Sequence, residues 1–391
     1  MFMQHQRMYL DYASSTPVDP RVFEAMRPFF AETFGNPNAF HDEGTDAREA
    51  LEHARDAVAH GLDTHPDEII FTSGGTESNA LAIFGLLRAL EESGTPLSAM
   101  HLVTSVIEHP SVLDCFKYLE DKGARVSYIP VTGDGVLDLA AFEQSLCPET
   151  TLVSCMLVNN EIGTIQPVAE IAEIIRKHRV SGRTLSVPFF HTDASQAPLF
   201  IKVSATALGV DLLTLDAQKL YGPKGVGALF VRHGVSLAAL FVGGKQERRL
   251  RPGTQNVPAI VGFARALEIA EEQRSEDTRR VTELRDYFID TLLKKIPGTV
   301  LNGSKTERIA NNVNISIPGT TNELLVLRLN ARGIACAARS ACLGQGAEGS
   351  YVVAALTNER SNTAVRFTLG RETTKEIIDS VVSITAEEAA V

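Results

Sequence analysis

The sequence predicts an α/β protein with a large domain, built on a mostly parallel sheet flanked by helices, and a smaller α+β domain. Between residues 66 and 232, short β-rich runs alternate with longer runs whose apolar residues recur at helical spacing. Several β-rich runs are apolar throughout, as in a sheet covered on both faces. The pattern changes after about residue 258. We therefore assign residues 15–258 to the large domain, and residues 1–14 and 259–391 to the small one.

The elements of the large domain follow from these patterns. The predicted strands, in chain order, are EIIFTS, MHLVTSVI, RVSYIPV, TLVSCMLV, VPFFHTD, VDLLTLD and GALFV. The predicted helices between them are TESNALAIFGLLRALEE, PSVLDCFKYLEDKG and VAEIAEIIRKHR, which end near glycine or basic residues.

The small domain begins with a long helical stretch, residues 259–298. It continues with the strand NNVNISI, the helix NELLVLRLNARG, the strand TAVRFTLG and the terminal helix TKEIIDSVVSI. This mixture of elements is typical of an α+β domain rather than of a continued parallel sheet.

Composition narrows the class of protein. The chain has 391 residues and a formal net charge of −11, which argues against direct binding to a nucleic-acid backbone. It contains neither an apolar run long enough to cross a bilayer nor a signal-peptide pattern, so we expect a cytoplasmic location without membrane attachment. The five cysteines are scattered, which favours reduced thiols and predicts no metal site.

Three motifs lie at the ends of predicted strands. In FTSGGTESNALAI, a Gly-Gly turn opens a helix at Gly75 and Thr76, an arrangement that suits a phosphate but also any strand-turn-helix connection. Asp193 in FFHTDASQ is a candidate ligand contact or a helix cap. Lys219 in LDAQKLYGPKGVG is a candidate Schiff-base lysine or a surface lysine. Their order within one α/β domain favours the functional interpretation of all three.

Together with YLDYASSTPVDPRV, FGNPNAFH, VIEHPSVL, MLVNNEIGTIQPV, RPGTQNVP, SAC and VRFTLGR, these motifs extend over nearly the whole chain. The sequence resembles the cysteine desulfurases of the NifS/IscS type. These are pyridoxal-phosphate-dependent enzymes of the class V aminotransferase family, on the fold type I scaffold.

The resemblance implies a role for each matching residue. Lys219 would form the Schiff base with pyridoxal phosphate, His109 would stack on its ring and move protons, and Arg366 would bind the substrate carboxylate together with Asn160. The cofactor-binding residues that it implies are Gly75, Thr76, His109, Asn160, Asp193, Gln196, Gln218, Lys219 and, from the partner subunit of a homodimer, Thr254.

Cys342 in RSACLGQGAEGS would be the third catalytic residue, with Lys219 and His109. The implied reaction removes sulfur from L-cysteine, gives L-alanine and leaves a persulfide on Cys342, for transfer to an acceptor protein in iron–sulfur cluster assembly or tRNA thiolation. Glycine and small residues around Cys342 suit a mobile carrier. Arg339 either favours the thiolate of Cys342 or contacts solvent or the acceptor.

Three departures from the family pattern stand out: Asp216, Gln218, and the flanks of Cys342, where Arg339 precedes it and Leu343 and Gly344 follow it. Asp216 and Gln218 stand where the family has a serine and a histidine that serve the phosphate, and a carboxylate beside a phosphate should repel it. We expect weaker retention of the cofactor. The alternatives are a selenocysteine lyase or an aminotransferase on the same scaffold, and a partner-binding scaffold with impaired cofactor binding.

Overall fold

The strands and helices come from a computed structural model, which describes residues 7–179, 188–338, 349–357 and 362–390. In chain order the strands are β1 (Met8–Tyr9), β2 (Ile69–Thr72), β3 (His101–Ser105), β4 (Arg125–Ile129), β5 (Thr150–Ser154), β6 (Phe189–Asp193), β7 (Leu212–Asp216), β8 (Gly227–Val231), β9 (Val300–Leu301), β10 (Asn312–Ser316), β11 (Ile334–Ala335) and β12 (Ala364–Thr368).

The helices are α1 (Pro20–Met26), α2 (Pro28–Ala31), α3 (Asp42–Gly61), α4 (Gly75–Ala80), α5 (Leu86–Glu92), α6 (Pro110–Asp121), α7 (Leu139–Ser145), α8 (Val168–Arg179), α9 (Ala205–Leu208), α10 (Val257–Lys295), α11 (Asn322–Ala331), α12 (Tyr351–Leu356) and α13 (Lys375–Ala389). A π-helical turn, Leu81–Gly85, joins α4 to α5, so the chain is helical from Gly75 to Glu92.

The seven predicted strands form one central sheet, in the order β2-β8-β7-β6-β5-β3-β4. From β7 to β4 all neighbours are parallel, and β8 alone runs antiparallel to β7 and β2. Every residue of β2, β3, β5 and β7 is buried, because helices cover both faces. The predicted fold class, a mostly parallel sheet flanked by helices, is confirmed.

The second half of the chain builds a smaller antiparallel sheet, β12-β10-β9. Strand β1 pairs in parallel with β11, which brings the start of the chain to these later elements. Helix α10 carries Phe263 into the core beneath the large sheet and Phe288 into the core of the small one. It therefore joins both cores, and the domain boundary at residue 258 stays a prediction.

Several strand ends of the large sheet meet at one edge. Asp193 ends β6, Asp216 ends β7, and a 3₁₀ turn, Ala217–Lys219, follows β7 directly. At the end of β2 the chain turns into α4 through Gly74, whose φ of 145° favours glycine. Ligands of open α/β sheets bind at such carboxyl ends. In the described part of the chain, no helix combines the length and apolar character needed to cross a bilayer.

Candidate active site

The strand ends and the start of the chain enclose a cleft. Nine predicted site residues line it: Gly75, Thr76, His109, Asn160, Asp193, Gln196, Gln218, Lys219 and Arg366. Thr254 is exposed and does not line this cleft, and Arg339 and Cys342 lie outside the described residues. The structure thus brings together residues that are more than 290 positions apart, from Gly75 to Arg366.

Lys219 extends from the turn after β7 toward the start of the chain. Its Nζ donates to the backbone carbonyls of Ala13, at 2.9 Å, and Ser14, at 2.6 Å. Gln196 binds the same segment, because its side-chain amide donates to the Ala13 carbonyl at 3.0 Å. The backbone of residues 13 and 14 therefore holds the amine of Lys219 at the wall of the cleft.

Asp193 has a fixed carboxylate. Its Oδ2 accepts from the side-chain amide of Asn79, and its Oδ1 accepts from the backbone N–H of Ser195, at 2.8 and 2.9 Å. Asn79 also donates to the hydroxyl of Ser111, which lines the cleft. A carboxylate held by two donors keeps its orientation toward a ligand, and this orientation depends on helix α4.

His109 caps helix α6. The backbone N–H of Ser111 donates to His109 Nδ1 at 3.2 Å, so the neutral ring carries its proton on Nε2. The preceding residue, Glu108, is completely buried and accepts from the backbone N–H of Met156 at 2.9 Å. Burial, and after it the charge of Asp193, raises the pKa of Glu108 to about 8. Glu108 is therefore mainly protonated at neutral pH.

Arg366 is 1% exposed and lies in β12. Its Nη1 donates to the Asn160 carbonyl, and its Nη2 to Asp11 Oδ1 and Ser14 Oγ, at 2.8 to 2.9 Å. Among the residues that the structure describes, its Nε finds no hydrogen-bond partner, and neither does the buried Oδ1 of Asn160. A buried cation with an unused donor is suited to an incoming carboxylate.

Gly75 and Thr76 mark the opposite end of the cleft, where the helix that starts at Gly75 presents its first N–H groups. Asp216 also lines this end, and its carboxylate accepts from the backbone N–H and the side-chain amide of Gln218, at 3.3 and 2.9 Å. The carboxylate that departs from the family pattern thus points into the cleft rather than away from it.

The chemistry of these groups fits pyridoxal phosphate. Lys219 offers the amine for a Schiff base, Asp193 a carboxylate for the ring nitrogen, and Gly75 and Thr76 a helix start for the phosphate. Asn160 and Ser195 line the cleft as well, and each has a buried side-chain oxygen without a partner in the described part of the chain. Among the residues that line the cleft, Asp216 opposes this fit, because its negative charge repels a phosphate.

In the described ranges, no group of three or more His, Cys, Asp or Glu residues is arranged to hold a metal.

Sequence reasoning missed three contributors to this site: Asp11, Asn79 and Ser195. Asp11 and Asn79 lie within quoted motifs, but only folding shows that they contact Arg366 and Asp193. Ser195 stands two residues after Asp193, and no spacing rule sets it apart from an ordinary turn serine. Asp216, a departure from the family pattern that the resemblance does not assign to the site, lines the cleft as well.

Comparisons with known proteins agree with this geometry. The model of the aminotransferase class-V family matches residues 8–381. The cysteine desulfurase IscS of Dictyoglomus turgidum is 41% identical over 381 residues, which cover 97% of this chain and 93% of that protein.

Two solved structures are also similar. A NifS-like protein has a TM-score of 0.89 and 35% identity, over 98% of this chain and 99% of that one. SspA in complex with cysteine has a TM-score of 0.76 and 32% identity, over 93% and 98%. The chain therefore belongs to the class V aminotransferase family, among its pyridoxal-phosphate-dependent cysteine desulfurases.

Proposed function

We propose that the protein removes sulfur from L-cysteine, releases L-alanine and keeps the sulfur as a persulfide on Cys342. The observation that carries this proposal is the cleft itself, in which Lys219, Asp193 and Arg366 supply an amine, an acid and a carboxylate-binding cation. The relatives named cysteine desulfurase and the neighbour solved with cysteine support the same substrate.

Arg366 fixes the orientation of the substrate by binding its carboxylate. The guanidinium cannot swing freely, because the Asn160 carbonyl, Asp11 and Ser14 hold Nη1 and Nη2. Asn160 lines the same cleft, and its Oδ1, which has no partner among the described residues, can accept a hydrogen bond from a donor of the ligand but not from the carboxylate. An amino acid bound in this way turns its amine and α-carbon toward Lys219.

Lys219 and His109 handle the protons. Bound pyridoxal phosphate withdraws electrons from the α-carbon of the substrate. The amine of Lys219, held by the carbonyls of residues 13 and 14, removes the α-proton as a general base. His109 also lines the cleft, and because Ser111 holds its Nδ1, the imidazole would accept and return protons through Nε2.

Cys342 then takes the sulfur. Its thiolate forms an S–S bond as the Cβ–S bond of the substrate breaks; Cβ then accepts a proton and the α-carbon regains the one that it lost, which gives L-alanine. Residues on both sides of segment 339–348 support this role. Ala337 pairs with the backbone of Arg366, and the Tyr351 hydroxyl donates to the Glu108 carbonyl at 2.5 Å. The described residues that flank it thus contact Arg366, which lines the cleft, and Glu108, which precedes His109 in the chain.

We further propose a homodimer in which Thr254 binds the partner's phosphate. Thr254 is exposed in its own chain. In the segment that leads to it, Phe241 and Val242 are exposed as well, with 48% and 102% of their reference surface accessible. Phe30 and Phe40 are 62% and 100% exposed elsewhere in the large domain. Apolar side chains exposed in this number are typical of a surface that another chain covers.

The acceptor of the sulfur belongs to iron–sulfur cluster assembly or tRNA thiolation in this proposal, and the location is cytoplasmic. The scattered cysteines, which favour reduced thiols, support that location.

The test is the formation of alanine and sulfide from L-cysteine, with a reductant present. We expect Cys342→Ala to keep the absorbance of the bound cofactor and to lose sulfide release, and Lys219→Ala to lose the absorbance of the Schiff base. Turnover of selenocysteine but not cysteine would instead support a lyase specific for selenium. A protein that cannot be loaded with cofactor would contradict the proposal.

A further inference from the structure

The phosphate end of the cleft lacks the hydroxyl that the family pattern leads us to expect at position 216. The structure shows what replaces it. The carboxylate of Asp216, 6% exposed, ties up the side-chain amide of Gln218 at 2.9 Å. A carboxylate only accepts hydrogen bonds, and so do the oxygens of a phosphate dianion. Asp216 therefore supplies no donor for the phosphate, and it takes one of the two N–H donors of the Gln218 amide.

Ser195 lies at the same end of the cleft and has a free hydroxyl. A Cβ placed on Gly75 would be 3.4 Å from Ser195 Oγ and 3.5 Å from Asp216 Oδ2, so both oxygens face the start of the helix. Ser195 is 8% exposed, and its Oγ has no hydrogen-bond partner among the described residues. Buried hydroxyls without a partner are rare and call for a ligand.

The backbone explains why this hydroxyl points into the cleft. The N–H of Ser195 donates to Asp193 Oδ1 at 2.9 Å, which turns the chain directly after β6. Ala194, directly before Ser195, and Ala197, two residues after it, are completely buried. The side chain of Ser195 is thus directed to the end that also holds Gly75 and Thr76.

We propose that Ser195 donates a hydrogen bond to the cofactor phosphate and replaces the hydroxyl lost at Asp216. This inference rests on the proposed function, since it assumes that the cleft binds pyridoxal phosphate. It adds a cofactor-binding residue and supplies a donor at the end of the cleft where Asp216 supplies none: Thr76, Ser195 and the N–H groups at the helix start would hold the phosphate.

The experiment is a titration of the cofactor-free full-length protein with pyridoxal phosphate, followed by absorbance. We expect Ser195→Ala to weaken binding about 10- to 100-fold, the usual effect of losing a hydrogen bond to a charged group. Pyridoxal, which lacks the phosphate, should bind Ser195→Ala and the unmodified protein equally. A loss caused by general disruption of the cleft would affect both ligands.

Ser154→Ala is the matched control, because Ser154 is equally buried and bonds to His191 outside the cleft. It should keep the affinity for pyridoxal phosphate. In a background of Asp216→Ser, the effect of Ser195→Ala should shrink, since the new hydroxyl shares the contact.

Unchanged affinity in folded Ser195→Ala would overturn this assignment and leave the proposed function intact. The same holds for an equal loss of pyridoxal binding. Failure of the unmodified protein to bind the cofactor would contradict the proposed function itself, and with it the role of Ser195.

Discussion

Replacing Arg366 by lysine tests how the cleft recognises its substrate. Lysine keeps the positive charge but loses the planar fork that lets one side chain contact the Asn160 carbonyl, Asp11, Ser14 and a carboxylate at once. Arg366 is 1% exposed, so water cannot replace the lost donors. The variant therefore changes the directions of the hydrogen bonds and keeps the positive charge.

The expected magnitude follows from the contacts. A hydrogen bond to a charged group contributes about 1.5 to 3 kcal/mol. The loss of one well-directed bond to the carboxylate should lower kcat/KM for L-cysteine about 10- to 150-fold. Because the carboxylate is bound in the ground state as well as in the transition state, most of the loss should appear as a higher KM.

The assay measures alanine formation as a function of L-cysteine concentration, together with the binding of L-alanine and of cysteamine, which has no carboxylate. Arg366→Lys should bind L-alanine more weakly and cysteamine normally. Arg371→Lys is the matched control, because Arg371 pairs with Asp19 and Asp277 and does not line the cleft. Equal losses for both ligands, or kcat/KM within about threefold of wild type, would refute the role of Arg366.

Three further predictions concern charge and cofactor. Asp216→Ser should slow the dissociation of pyridoxal phosphate at least about tenfold, since it removes the repulsion between the buried carboxylate and the phosphate, and unchanged dissociation would contradict this. Burial raises the pKa of Glu108 to about 8. Between about pH 4.5 and 8 the folded protein therefore keeps a proton that the unfolded chain has lost, and the free energy of unfolding falls as the pH rises through this range. Urea unfolding of Glu108→Gln should show a smaller loss over this range, by at most about 1.4 kcal/mol per pH unit, and a slope equal to that of wild type would be the contrary result. Burial lowers the pKa of His191 to about 4, so stability should also fall as pH drops from 6.5 toward 4, and less steeply in His191→Gln.

Much of the large domain could be predicted because local pattern and tertiary role coincide. Strands such as Leu212–Asp216 are apolar throughout and end at the functional edge, so their composition reveals both their burial and their position. The order of the strands could not be derived in the same way. That β8 inserts antiparallel between β2 and β7 depends on packing, which short apolar runs do not encode.

Among the residues of the cleft, too, some could be predicted from the sequence and others could not. Lys219, Asp193 and Arg366 belong to motifs with recognisable chemistry, and they do line one cleft. Their supports could not be predicted, since contacts such as that of Asn79 with Asp193 join residues 114 positions apart. The departure at Asp216 is visible in the sequence, but only the fold shows that its carboxylate is held by the side-chain amide of Gln218.

The central claim is that sulfur from L-cysteine comes to rest on Cys342. Mass spectrometry of the cofactor-loaded protein after brief exposure to L-cysteine, without reductant, tests this claim directly. We expect wild type and Cys336→Ser to gain one sulfur atom, located on the peptide that contains Cys342, and Cys342→Ser to gain none. Sulfur on another cysteine, or turnover to alanine without any sulfur bound to the protein, would contradict the account.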